Sequence, residues 1–438
     1  MRFIAWLRFV AAVAAYLVVA GALAQALPAA KPEQVGMSAQ RLARVSETFK
    51  QEVDQGRLAG VVVMVARKGK LAYADAIGFQ DKVAGTPMAR DTIFRIYSMT
   101  KPLVSVGMMQ LVEEGRVQLT DPVSKFLPAF KNQLVSVATT DAAAARVTYS
   151  LVPAAREATI QDLLRHTAGL AYGEITQNAP VKEAYAKAGI YKSTIDYDAR
   201  DLTPEEEVER LGKAPLAHQP GTVWEYSMAV DVQGRVIEAV TGKRLADYLQ
   251  ERVFGPLKMV DTGFWVPKEK MSRLAQPLPV EPAVGRPVPV IDVSTPPKND
   301  SGGAGAVGTA SDYLRFCQAM LNGGQLDGVR ILARPTVQLM TADHLGSTVS
   351  TASYAPGLLL LQVPGYTFGL GFMVRQGAGL AGVLGSQGEF MWAGYAGTYF
   401  WADPKEELCG VYMTQSPSPV RPYYRRLYKN LVYQAIGD

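Results

Sequence analysis

Apolar residues recur at helical spacing at Val104, Met108, Leu111 and Val112, after the stretch Ile96-Tyr97-Ser98-Met99-Thr100-Lys101-Pro102 and before Gly115. The spacing predicts a helix that begins near Ser98 and stops at Gly115. Pro102 then falls at the end of the first turn, where few backbone donors have intrahelical partners. Upstream, Leu42, Val45 and Phe49 share one face of a helix predicted over 38–55. Residues 60–67 and 70–76 read as two strands joined by a Lys-Gly turn, a hairpin. From 119 to 362 the pattern is mainly helical with long connections. Thr159, Thr203 and Thr309 each sit where a helix cap is expected, and Thr241-Gly242 splits two helices over 230–240 and 245–253. Scattered Val and Thr over 132–155 suggest a small hairpin, and the proline-rich 278–300 an irregular surface excursion. Strands return at 368–375, 388–392, 398–402 and 408–414, and a terminal helix covers 422–436.

Strands at both ends with helices between them suit an α+β fold: one antiparallel sheet flanked by helices, with a mainly helical lobe inserted. The organisation expected is a leader over 1–24, an α/β lobe built from 25–118 and 363–438, and a helical lobe over 119–362. No strand–helix alternation supports a parallel doubly wound sheet.

Composition narrows the function. The 438 residues are 48% hydrophobic and 19% charged, ordinary for a globular chain with a sizeable core. A net charge of +5 without a clustered basic face does not suggest nucleic-acid binding. Three histidines (His166, His218, His344) and two cysteines (Cys317, Cys409) make a metal centre hard to assemble, so no metal and no cofactor is expected. Cys317 lies in a helical pattern and Cys409 in a strand pattern, which reads as two buried thiols. The N-terminus carries Arg2 and Arg8, an apolar run from Phe9 to Leu23 and Ala22-Leu23-Ala24. That is the pattern of a secretory signal peptide, cleaved after Ala24 or Ala26, too short for a membrane span of ~20 residues. A periplasmic or secreted protein with no stable membrane anchor is expected.

Ser98 and Lys101 are three residues apart, on one face of a first helical turn. A hydroxyl beside an amine at a helix start suits nucleophilic acyl chemistry without histidine. So short a pattern is weak by itself, since a serine cap followed by an incidental lysine gives the same string. Two further stretches strengthen it. Pro220-Gly221-Thr222-Val223-Trp224-Glu225-Tyr226-Ser227 delivers a tyrosine just ahead of a helix, and Met391-Trp392-Ala393-Gly394-Tyr395-Ala396-Gly397-Thr398 places small residues between two strands.

In that order and context the three stretches resemble the serine beta-lactamase and penicillin-binding-protein superfamily, and most closely the class C beta-lactamases and related carboxylesterases. Ser98 to Lys101 matches the first motif, S-x-x-K. Tyr226-Ser227-Met228 matches the second, and Trp392-Ala393-Gly394 the third in its W-x-G form. Arg165-His166-Thr167-Ala168-Gly169-Leu170 and Ser301-Gly302-Gly303-Ala304-Gly305 look like two further family segments. The resemblance runs from about Val35 to the terminal helix. It implies a beta-lactamase/transpeptidase-like fold and catalytic roles for Ser98, Lys101 and Tyr226. It also implies oxyanion donors at the backbone N–H groups of Ser98 and Tyr395, and substrate contacts at Trp392, Ala393 and Gly394.

A serine hydroxyl attacks only when a base takes its proton. Tyr226 or Lys101 must serve, with ordinary pKa values of ~10 and ~10.4 that need lowering. Met228 stands where penicillin-recognising relatives usually have Asn, and Trp392 where they have Lys or His. Trp392 offers an indole donor and apolar area in place of the cation that would anchor a carboxylate. A small neutral ester is therefore the leading substrate. An amide or D-amino-acid peptide, a weak beta-lactamase activity, an acyltransferase and a non-catalytic penicillin-binding-like module remain alternatives. Gly303-Ala304-Gly305-Ala306-Val307-Gly308 matches G-x-G-x-x-G without a βαβ unit around it and reads as a flexible loop. His166 reads as a structural hydrogen-bonding residue, His218 and His344 as loop residues, Asp231 as locally structural, and Glu205-Glu206-Glu207 as a solvated helix start.

Overall fold

The Val-rich strand Gly60–Arg67 is buried at all eight positions, because it has a strand on each edge and helices on each face. It pairs antiparallel with Lys70–Asp81 on one side and with Leu408–Thr414 on the other, Val61 facing Thr414. Our computed structural model describes residues 26–141, 146–190, 201–351 and 364–438. The expected leader over 1–24 and the expected lobe boundary at 362/363 lie outside the described residues.

The main sheet has eight strands, all antiparallel, in the spatial order Tyr366–Phe368, Met373–Arg375, Phe390–Ala393, Tyr399–Asp403, Leu408–Thr414, Gly60–Arg67, Lys70–Asp81, Thr86–Pro87. The N-terminal hairpin thus completes a sheet begun by the C-terminal strands. Successive residues of a strand point to opposite faces. Phe400 meets Tyr313 of the helix Ala310–Leu321 at 4.9 Å, whereas Trp401 meets Tyr428 of the helix Arg421–Tyr433 at 5.4 Å. The helix Ala39–Asp54 shares the second face, with Phe49 5.3 Å from Tyr412 and 6.3 Å from Tyr428. Gly410 faces Trp401 across the ladder, where a Cβ would lie 2.1 Å from the indole. Only glycine leaves room for that ring.

Three expectations change. Residues 368–375 form two short strands, Tyr366–Phe368 and Met373–Arg375, paired as a hairpin. Leu370 and Phe372 are buried in the turn, so the apolar run looks continuous, but Gly371 has φ +91° and reverses the chain. The 278–300 excursion ends inside the protein, because Asp300 accepts Arg235 and Arg244. Glu207 is buried rather than solvated, held by Asn299 Nδ2 at 2.8 Å, and burial with the nearby Asp231 charge raises its pKa to about 7. The expected hairpin within 132–155 is present, as Leu134–Asp141 against Arg146–Pro153. Cys317 and Cys409 are buried free thiols.

Candidate active site

Ser98 sits in a single 3₁₀ turn, Tyr97–Met99, that feeds the helix Thr100–Glu113. The regular helix therefore starts two residues later than the periodicity predicts. Ser98 and Lys101 still lie together, because i and i+3 align in a 3₁₀ turn. Tyr97, just before the serine, has φ +46°, a left-handed conformation that costs energy for a bulky residue. Two contacts hold it there: its hydroxyl accepts the Ile291 N–H at 2.9 Å, and its carbonyl accepts the Thr100 hydroxyl at 2.6 Å. The helix is buried on every side from Thr100 to Leu111, not on one face only. Its polar side chains are satisfied inside: Ser105 donates to Gln233, and Gln110 to the carbonyls of Arg252 and Ile331.

Tyr226 follows the short strand Val223–Trp224 and precedes the helix Ala229–Thr241. Its hydroxyl lies 2.7 Å from Ser98 Oγ. Lys101 Nζ lies 3.5 Å from the same oxygen, 2.9 Å from Tyr172 Oη and 2.7 Å from the Gly303 carbonyl. It also stands 4.5 Å from the centre of the Tyr226 ring. Burial of the ammonium brings the Lys101 pKa down from 10.5 to about 7, against the pull of Asp231.

Asp231 does more than its sequence context suggests. One carboxylate oxygen accepts Ser301 Oγ at 2.7 Å and the Gly303 N–H at 2.9 Å. It therefore places the carbonyl that receives Lys101. The 301–308 stretch is buried throughout and is no flexible loop. A Cβ on Gly302 would lie 2.4 Å from the Val230 carbonyl, and one on Gly303 2.3 Å from Asp231, so this backbone packs where side chains cannot. Tyr172 escaped the sequence reading, since a lone tyrosine shortly after a turn glycine is ordinarily a core aromatic. The Gly303 carbonyl could not have been found from side-chain motifs at all.

His166 is buried and held neutral by desolvation and the Lys101 charge. Its Nδ1 lies 3.1 Å from Ser227 Oγ, its carbonyl accepts the Glu225 N–H at 3.0 Å, and its ring stands 5.1 Å from that of Tyr226. It braces the segment that carries the tyrosine. His218 pairs with Glu225, and His344 with Gln161 and the Leu339 carbonyl.

Trp392, on the strand Phe390–Ala393, is buried between Tyr226 at 5.5 Å and Phe368 at 5.3 Å. Its indole N–H has no partner among the described residues. Trp224 stacks on Tyr226 with ring centres 6.4 Å apart. Gly394 lets this strand end reach the turn that carries Ser98, since a Cβ there would sit 2.3 Å from the Ile96 carbonyl. Thr398 Oγ1 ties the two turns by donating to the same carbonyl at 3.2 Å. Tyr395 occupies the second position of a turn closed by Gly397 N–H on the Gly394 carbonyl at 3.1 Å, and its ring meets Tyr97 edge-on at 5.4 Å. Ser98 lies in the first turn of its helix, where an N–H has no intrahelical acceptor. The fold thus gathers Ser98, Lys101, Tyr226, Trp392, Ala393, Gly394 and Tyr395 from three distant stretches.

The beta-lactamase family model matches residues 45–434. Esterase EstB of Burkholderia gladioli is 32% identical over 391 residues, covering 85% of this chain and 90% of its own length. Lovastatin esterase of Penicillium rubens is 29% identical over 396 residues, covering 85% and 92%. Among solved structures, EstCE1, a hydrolase with promiscuous acyltransferase activity, aligns with a TM-score of 0.69 at 28% identity over 90% of this chain and 99% of its own. Simvastatin synthase LovD of Aspergillus terreus shares the fold, with a TM-score of 0.72 at 22% identity over 90% and 98%.

Proposed function

We propose that this chain, which belongs to the beta-lactamase family and is a hydrolase, cleaves carboxylic esters through an acyl-enzyme on Ser98. The observation that carries the reading is the 2.7 Å contact of Tyr226 Oη with Ser98 Oγ, with the buried Lys101 amine beside both. The Ser98 proton passes to the Tyr226–Lys101 pair as Oγ attacks the ester carbon. The N–H groups of Ser98 and Tyr395 receive the oxyanion, each donor being worth ~3 kcal/mol. The pair then returns the proton to the departing alkoxide, and water repeats the sequence to release the acid. Lys101 and Tyr226 meet at one hydroxyl, that of Ser98.

A pH dependence follows. Burial brings the Lys101 pKa down to about 7, and the deprotonated pair is the base, so kcat/KM on a nitrophenyl ester should rise through an inflection near that pH. Below the inflection the slope approaches about tenfold per pH unit. A flat profile from pH 5 to 9 would remove Lys101 from the base. Lys101→Arg, whose guanidinium keeps its proton, should be inactive at every pH. Retained activity in that variant would leave Tyr226 as the sole base.

Trp392, packed against Tyr226, puts an indole where a carboxylate-binding cation would otherwise stand, which supports a neutral acyl group. A cation, Arg421, lies 5.1 Å over the Tyr395 ring. Short-chain nitrophenyl esters should outpace a chromogenic cephalosporin by the worth of a missing charge-assisted hydrogen bond, about 1.5–3 kcal/mol or roughly 10–150-fold. Faster cephalosporin turnover would overturn the ester assignment. Transfer of the acyl group to an alcohol in place of water uses the same residues, and the likeness to EstCE1 supports testing it alongside hydrolysis.

A further inference from the structure

The terminal helix Arg421–Tyr433 sends Arg425 into the protein behind the turn that carries Tyr395. The residue is buried, 8% exposed, and its guanidinium donates to two backbone carbonyls, those of Gly394 and Gly397. No carboxylate pairs with it among the described residues. Such a placement is unfavourable on three counts. A buried cation without a counter-ion loses its hydration. Arg421, one turn earlier, repels it, and both stand near the positive end of the helix. Burial and Arg421 bring its pKa down to about 9, so it remains charged at neutral pH. Weaker electrostatic interactions with Tyr399, Tyr412 and Tyr226 pull the other way. Stability alone gives little reason for a cation here.

The carbonyl of Gly394 and the N–H of Tyr395 are two ends of one peptide unit. A cation on the oxygen draws electron density through the amide and strengthens the N–H as a donor. We propose that Arg425 is a positioning residue for the reaction, holding and polarising the Gly394–Tyr395 peptide so that its N–H meets the oxyanion. The inference rests on the reading of Tyr395 N–H as an oxyanion donor. The geometry suits that role, because Gly394 oxygen has two lone pairs, one taken by the Gly397 N–H and one by Arg425. The turn is thereby pinned from behind with nothing placed in the substrate's path. Arg425 does not touch the reacting atoms.

Arg425→Gln keeps a neutral donor and removes the charge, while Arg425→Lys keeps the charge. On nitrophenyl butyrate, Arg425→Gln should lower kcat about 10–100-fold, less than deleting a whole oxyanion donor, with KM within about threefold. The inhibition constant of phenylboronic acid, whose serine adduct carries an oxyanion, should rise by the same factor. Arg425→Lys should recover most of both effects. A purely structural tether would not make boronate affinity follow kcat or make recovery follow charge. Unchanged kcat in Arg425→Gln, reduced kcat with unchanged boronate affinity, or no recovery in Arg425→Lys each overturns the proposal. If Arg425→Gln fails to accumulate, Arg425→Lys decides alone: kcat and boronate affinity within about threefold of the parent support it, and a larger loss overturns it. Fluorophosphonate labelling of Ser98 in the unaltered protein is read separately. Absent labelling sinks the acyl-enzyme reading itself, whereas normal labelling with a negative Arg425 result sinks only this inference.

Discussion

Changing Tyr226 to Phe is expected to lower kcat/KM on a nitrophenyl ester by about 10²–10⁴-fold, the range lost with a general acid–base group. The substitution removes one oxygen and little else. The ring keeps its stack on Trp224 and its contacts with His166, Tyr172 and Trp392, so the fold should persist. What disappears is the 2.7 Å contact with Ser98 Oγ, leaving that oxygen with Lys101 at 3.5 Å, the outer limit of a hydrogen bond. Loss should fall on kcat, because in the proposed mechanism the phenol acts on a proton in flight and not on the bound ester. Slow covalent labelling of Ser98 by a fluorophosphonate should accompany it. Near-normal rates in Tyr226→Phe would move the base to Lys101 and make the tyrosine a spectator.

Ser98→Ala carries the largest expected effect, a loss of about 10⁴–10⁶-fold in kcat and complete loss of labelling. Ser98 is only partly exposed at the start of a helix whose remaining first turn is buried, and alanine fits that turn, so the melting temperature should shift little. The two variants read differently. Labelling that survives in Ser98→Ala would place the nucleophile elsewhere and end the acyl-enzyme reading. A slow but labelled Tyr226→Phe keeps the nucleophile and questions only the proton path.

Much of this arrangement is legible from residue order, and the reason is local. The Lys68–Gly69 turn, the threonine caps at 159, 203 and 309, and the Gly242 stop each depend on a few neighbouring residues. Pattern at that range survives tertiary packing. Ser98 and Lys101 belong to the same class, since three residues on one turn bring them together whether the turn is α or 3₁₀. The pattern misleads where long-range burial decides. The 301–308 stretch looks mobile by composition, yet its glycines are there so that Asp231 and Val230 can press against it. Glu207 looks solvated in a run of three acids, yet Asn299 and Arg235 draw it inside. Leu370 and Phe372 look like strand interior, yet they fill a turn.

Residue order alone is enough for the α+β class, the antiparallel pairing of the first hairpin, the caps and the three stretches able to carry acyl chemistry. Each follows from periodicity or short-range spacing, which the chain carries wherever it folds. Packing between distant segments was needed to show that Tyr172 and the Gly303 carbonyl hold Lys101, that Asp231 sets that carbonyl, and that Arg425 stands behind Gly394. Those contacts join residues 71, 202, 72 and 31 positions apart. They depend on which buried polar groups must find partners once water is excluded, and no local pattern encodes that choice.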